Sequence, residues 1–122
     1  MMNQFFGVGR LVEDPKVETT ENGKEVTRMP IAVQRSYKNA DGEYDTDFFD
    51  VVLWNSLAIN TSEYCHKGDL VGVKGRLESN TYETKDGEKK KSTYIVAEKI
   101  SFLASKKSKE SEADKSDEDL DM

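Results

Sequence analysis

The nine residues Thr46-Asp47-Phe48-Phe49-Asp50-Val51-Val52-Leu53-Trp54 decide how this chain is read. Their β-branched and aromatic content marks a strand, and on a strand residues two apart point to the same side. The odd positions Phe49, Val51 and Leu53 make an unbroken apolar set that reads as core. The even positions Phe48, Asp50, Val52 and Trp54 occupy the other face. A phenylalanine and a tryptophan beside an aspartate are out of place on a solvated surface and suit a platform on which flat bases stack. The competing reading is that both faces are buried, the second by a loop or by another copy of the chain.

Toward the N-terminus, Phe5-Phe6-Gly7-Val8-Gly9-Arg10-Leu11-Val12 is an apolar stretch whose two glycines suit a strand that bends or lies close to another backbone, and Pro15 closes it. After the Asn22-Gly23 turn signal, Val26 to Val33 forms a second strand with Met29, Ile31 and Val33 on one face, and Pro30 implies an edge or bulge position there. Asn39-Ala40-Asp41-Gly42 reads as the turn into the strand at Thr46 to Trp54. Beyond it the alternation stops. Leu57, Ala58, Thr61, Tyr64 and Cys65 recur at helical spacing, so a short helix is expected over 56–66 with Asn55 as its N-cap and Gly68 as its stop.

Strand patterns resume at Leu70 to about Glu83, turn at Asp86-Gly87 and return from Ser92 to Leu103. Three strands, a short helix and two strands is the order of a five-stranded oligonucleotide-binding (OB) barrel, with the helix between strands three and four. The expected fold class is therefore mainly β, with one domain over 1–104. From Ser105 onward Ser, Lys, Glu and Asp dominate, and residues 105–122 are expected to be a disordered acidic tail.

In the fourth strand Val71, Val73 and Leu77 lie at odd positions and read as core, while Lys74, Arg76 and Tyr82 lie at even ones, placing two cations and an aromatic on one face. A solvated face with incidental cations is the plainer account of the same pattern. Arg35-Ser36-Tyr37-Lys38 repeats the interleaving of cation and ring, and Lys89-Lys90-Lys91 adds a basic run after the last turn.

The formal net charge of −6 over 122 residues argues at first against a polyanionic ligand. Residues 1–104 carry 14 Lys+Arg against 17 Asp+Glu, and residues 105–122 carry 4 against 7, so half the excess sits in the tail. No apolar run is long enough to cross a bilayer and no basic region leads into a signal core, which points to a cytoplasmic protein with no membrane role. The single cysteine, Cys65, allows neither an internal disulfide nor a thiolate zinc site and reads as a buried helix residue. Gly7-Val8-Gly9 begins like a dinucleotide fingerprint, but Val12 stands where a third glycine belongs and no helix follows. His66 sits at a helix end, and the carboxylates are scattered among turns and tail, so no catalytic residue, metal site or cofactor is assigned and no enzyme is expected.

Four motifs in order, Phe6-Gly7-Val8-Gly9-Arg10-Leu11 with Asp14-Pro15, Phe48 to Trp54, Tyr64-Cys65-His66-Lys67-Gly68, and Val73-Lys74-Gly75-Arg76-Leu77, resemble the bacterial and phage single-stranded DNA-binding protein family over about residues 3 to 104. The resemblance implies an OB barrel, assembly as a homotetramer, and nonspecific protection of single strands in DNA replication, recombination and repair. Carried over by motif, the stacking positions are Tyr37, Phe48, Trp54 and Tyr82, three of which parity also selects. With them go the basic candidates Arg35, Lys38, Lys74, Arg76, Lys89, Lys90 and Lys91.

The family's tail closes with Pro-Phe and docks onto replication and repair proteins. This chain ends Asp117-Glu118-Asp119-Leu120-Asp121-Met122, keeping the acid and losing the terminal ring, and Asp50 lies where some relatives carry a basic or neutral residue. Those departures suit a phage or mobile-element version with partners of its own, reached through the tail. Two other classes compete: an RNA-binding or primosome-accessory barrel using the same platforms, and a purely structural interaction barrel, which leaves rings beside cations unexplained.

Overall fold

The computed structural model describes residues 1–105, and in it the alternating segments become β1 (Phe5–Leu11), β2 (Val17–Thr19), β3 (Glu25–Lys38), β4 (Tyr44–Trp54), β5 (Leu70–Glu83) and β6 (Lys89–Ala104), with α1 (Asn55–Tyr64) between β4 and β5. The hydrogen-bonded order is β1-β5-β6-β4-β3-β2, and β1 also pairs with β3 at Arg10↔Ala32 and Leu11↔Ile31. That second pairing closes β1, β5, β6, β4 and β3 into a five-stranded barrel, leaving β2 as a three-residue flap on β3. The expected barrel and the placement of its helix are borne out, with β2 an addition. Residues 106–122 lie outside the described residues, and with them all but the first position of the expected tail.

The inward positions are Leu11 of β1, Met29 and Ile31 of β3, Val51 and Leu53 of β4, Val71 and Val73 of β5, and Ile95 and Ala97 of β6, with Ala58 of α1 packed beneath them. Each fully buried aliphatic chain contributes about 1.5–3 kcal/mol relative to an exposed one. Phe49 is half-buried rather than enclosed and packs against Phe5, ring centroids 5.8 Å apart. Thr27 is buried at the junction with α1, donating to the Lys16 carbonyl and lying 3.3 Å from Ser62 Oγ.

The motif residues around Gly68 lock the barrel's end. Leu11 N–H donates to the Asp69 carbonyl at 2.9 Å, Gly68 N–H to the Leu11 carbonyl at 2.9 Å, and Arg10 Nη1 to the Gly68 carbonyl at 2.7 Å. Lys67 N–H donates to Asp14 Oδ1 at 2.7 Å, and His66 N–H to the buried Asp69 Oδ2 at 2.8 Å. The Pro30 carbonyl accepts from Val12 N–H at 3.2 Å, so the proline nitrogen faces the side where β1 pairing ends and no ladder bond is lost.

Four expectations are corrected. The helix covers Asn55–Tyr64, not 56–66, and Trp54 rather than Asn55 holds the cap position, without a side-chain cap bond. The strand enters the helix with no loop, so the reversal falls on Asn55 at φ 57°, a left-handed conformation that asparagine tolerates. Cys65 is buried as expected but terminates the helix as its C-cap instead of lying within it. Leu77, read as core, is 45% exposed, because beyond the Leu77↔Ile95 pair the β5–β6 hairpin pairs only with itself.

The β5–β6 register shifts where Lys74 faces Lys99 and Gly75 faces Ala97, leaving Glu98 as an extra residue. Opposite that bulge a Cβ on Gly75 would overlap the Val96 carbonyl, whereas one on Gly72 would meet nothing nearer than 3.7 Å. Gly75→Ala is therefore expected to lower stability by about 1–3 kcal/mol, and Gly72→Ala to stay within about 0.5 kcal/mol of the parent. Urea unfolding midpoints check both, and equal midpoints would contradict the close approach.

Candidate nucleic-acid interface

The outer face of β3 and β4 is a ladder of cross-strand pairs: Val26↔Trp54, Arg28↔Val52, Pro30↔Asp50 and Ala32↔Phe48. The residues directly opposite both rings, Val26 and Ala32, are short and leave part of each ring accessible. Phe48 is 68% exposed and Trp54 39%. They lie six residues apart on one strand, about 20 Å at roughly 3.4 Å per residue. Their outward projection follows directly from the inward burial of Val51 and Leu53.

Trp54 opens into a groove of about 1030 Å³. Its floor is Val26, Arg28, Pro30, Asp50 and Val52; the β1–β2 segment with Glu13, Asp14 and Lys16 forms one wall, and Asn80, Ser92 and Tyr94 of β5 and β6 form the other. Lys67 completes the cations. Asp14 accepts from the Lys67 backbone N–H, which fixes its position and leaves its charge in the groove. The groove thus offers one indole, one phenol, three cations, four carboxylates (Glu13, Asp14, Glu18 and Asp50) and hydrogen-bonding groups on its far wall.

Of the residues selected from the sequence, the groove contains Trp54, with Phe48 continuing the same strip. Tyr37 is exposed on the β3–β4 hairpin beyond the barrel. There Arg35 Nε and Nη2 donate to the two Asp47 carboxylate oxygens, both at 2.9 Å, and Nη1 lies 3.4 Å from Tyr37 Oη and 3.7 Å from Asp45. Arg35 is thus a brace for the hairpin before it is a free cation. Lys38 Nζ lies 5.8 Å from the Tyr44 ring centroid. Arg76 donates to Glu78 at 2.7 Å. Tyr82 is exposed opposite Lys90 on the β5–β6 hairpin, with Lys89 opposite Glu83 and Lys91 opposite Thr81. The tail residues Asp117, Glu118, Asp119, Leu120, Asp121 and Met122 lie outside the described residues.

Lys74 lies outside this groove. It stands 5.9 Å from the Phe6 ring centroid on a shallow apolar face formed by Phe6, Val8, Gly72, Lys99 and Ser101. Lys74 and Arg76 share a strand parity, but the sheet's twist and the register shift opposite Glu98 separate their surroundings. Phe6 and Val8 are 67% and 52% exposed, and along Phe5–Gly9 β1 pairs only with β5.

Sequence reasoning missed Lys16, Arg28, Lys67 and Tyr94. None lies in a cation–aromatic run, and they meet only because four separate segments converge. Among the described residues Arg28 is the arginine with no ion pair or hydrogen bond to another group, which is the available signal for a phosphate partner. No group of three His, Cys, Asp or Glu that could hold a metal occurs among the described residues, and no helix there is long and apolar enough to cross a membrane. Burial, then the nearby Asp69 carboxylate, pushes the Cys65 thiol up from its ordinary range, the setting of a packed rather than a reactive sulfur.

Comparison with known proteins matches residues 2–103 to the model of the single-strand binding protein family. The chain is 40% identical over 114 residues to the single-stranded DNA-binding protein of Staphylococcus aureus strain MRSA252, covering 93% of this chain and 73% of that one. It is 42% identical over 103 residues to single-stranded DNA-binding protein B of Bacillus subtilis strain 168, covering 84% of this chain and 91% of that one.

The Arg35 hydrogen bond and charge hold the Asp47 carboxyl below the ordinary aspartate range. A carboxyl lowered in the folded state favours folding above its unfolded value and loses that contribution as pH falls through the folded one. In a carbon-detected NMR titration Asp47 should protonate below a free aspartate, and Arg35→Ala should return it to the ordinary value. An Asp47 midpoint indifferent to Arg35→Ala would remove the brace.

Proposed function

The chain belongs to the single-strand binding protein family, and on that premise we propose that its barrel holds single-stranded DNA along the outer face of β3 and β4 and in the groove beside it, without regard to sequence. Membership supports single-stranded DNA binding as such. The observation that carries the location is the outward strip of Phe48 and Trp54 opening into the groove. Rings stack on the π-face that every base shares, which gives affinity without base readout. Arg28, Lys16 and Lys67 take phosphates in the groove; Tyr37, Tyr82, Lys38 and Lys89 to Lys91 extend the path along the two hairpins. Binding leans on stacking more than on charge, since Asp50, Glu13 and Glu18 also face the groove.

The protein acts as a binding module and not as an enzyme, protecting strands exposed during replication, recombination and repair in the cytoplasm. Residues 1–104 form the DNA-binding domain, and the acidic segment 105–122 recruits replication or repair proteins. Assembly as a homotetramer is supported by the exposed Phe6 and Val8 and by the open edge of β1, which another strand can extend.

Trp54→Ala and Phe48→Ala should each weaken oligo-dT binding by about 1–3 kcal/mol with unchanged folding. Arg28→Ala should lower the slope of log affinity against log salt by about 0.7. Fluorescence titrations check these, with single-stranded RNA and duplex DNA as competitors. Folded variants that bind as the parent does would place the rings outside the path. Phe6→Asp combined with Val8→Asp should shift the sedimenting species from tetramer toward monomer, and an unchanged mass would move the interface to another face.

A further inference from the structure

Tyr94 of β6 lines the far wall of the groove that Trp54 opens. The parallel pairs Val51↔Ile95 and Val52↔Val96 set its place: Tyr94 precedes Ile95 on β6 as Asp50 precedes Val51 on β4, and both line the groove. Asp50 lies between Phe48 and Trp54 on β4, so Tyr94 falls laterally within the interval that separates those two rings. That interval, about 20 Å at roughly 3.4 Å per residue, is far longer than the approximately 3.4 Å between successive stacked bases on one strand. A chain of nucleotides lying on both β4 rings therefore passes bases for which β4 itself offers no ring.

The Tyr94 side chain is held. Its hydroxyl donates to Glu78 Oε1 at 3.3 Å, and the other oxygen of the same carboxylate accepts from Arg76 Nε at 2.7 Å. Glu78 is the direct cross-strand partner of Tyr94, and Asn80↔Ser92 is the next outward pair, both of whose members also line the groove. Tyr94 is half-buried, and the part left accessible lines the groove. A ring with its polar end anchored loses little freedom on stacking.

Resting on the reading of the groove as the single-strand path, we propose that Tyr94 is a further base platform, bridging the gap between Phe48 and Trp54, with Glu78 as the positioning residue that fixes its hydroxyl. The ring supplies the contact and the hydroxyl only its orientation. Removal of the ring should then cost much and removal of the hydroxyl little.

The test compares oligo-dT binding by the full chain and by Tyr94→Ala, Tyr94→Phe and Trp54→Ala, with urea midpoints to confirm folding. Tyr94→Ala should weaken binding about tenfold, as expected for the loss of one stacked base, and Tyr94→Phe should stay within about threefold. Irradiation of the parent with 5-iodouracil-substituted oligo-dT should give a cross-linked peptide containing Tyr94, a mark of contact that a structural role would not leave. A folded Tyr94→Ala that binds like the parent, or cross-links confined to Trp54 and Phe48, overturns the proposal while leaving the groove in place. Absence of oligo-dT binding by the parent overturns the groove itself.

Discussion

Closure of the barrel rests on β1, which must serve β5 along one edge and reach β3 within the same seven residues. The crossover needs backbone against backbone. At Gly9 a Cβ would lie 3.0 Å from the Ala32 carbonyl and 3.1 Å from both Ile31 and Val33 side-chain carbons. With β1 seated, Arg10 and Leu11 reach the Gly68–Asp69 turn, which in turn fixes where α1 ends and β5 begins. The closed cylinder then has one inside, and every strand parity on it is decided. Phe48 and Trp54 are exposed because Val51 and Leu53 are not.

Electrostatics gives the same molecule two distinct kinds of cation. Arg35 and Arg76 are spent on Asp47 and Glu78, where they stiffen the β3–β4 hairpin and the β5–β6 wall. Exposed pairs of this kind contribute little to stability, commonly under about 1 kcal/mol, so their consequence is geometric. Arg28 is unspent and stands at the floor of the groove. The groove mixes the cations Lys16, Arg28 and Lys67 with the carboxylates Glu13, Asp14, Glu18 and Asp50, so its charge is not positive on balance and its rings are the feature that needs no charge.

Much of the architecture was readable because it is local. The Phe48–Trp54 alternation, the turn signals and the apolar segments placed five barrel strands and a helix, and the glycines of the first strand announced a close backbone approach that Gly9 realises. The failures are nonlocal. The bulge at Glu98 and the extra residue Leu103 break the period of two along β6 beyond Ala97, and Ile95, Val96 and Ala97 are buried in succession although their pairing with β5 is regular, because Val96 is covered on its outward side too. Leu77 kept its parity but lost its cover, since burial depends on which strand lies behind it. Arg28 and Tyr94 carry no signal in their own segments; they come to line one groove only when β3, β4 and β6 are set side by side. The exposed Lys74 likewise matched Arg76 in parity yet lies against Phe6.

Two outer surfaces of one barrel are proposed to do different work, β3 and β4 holding the strand and the Phe6–Val8 face holding another copy. A backbone and indole NMR titration with a short oligo-dT separates them in one experiment. The largest shifts should fall on Arg28, Ala32, Phe48, Asp50, Val52 and the Trp54 indole N–H, with Phe6, Val8, Gly72 and Ser101 little changed. Shifts concentrated on the Phe6 face, with the Trp54 indole unmoved at saturation, would contradict it.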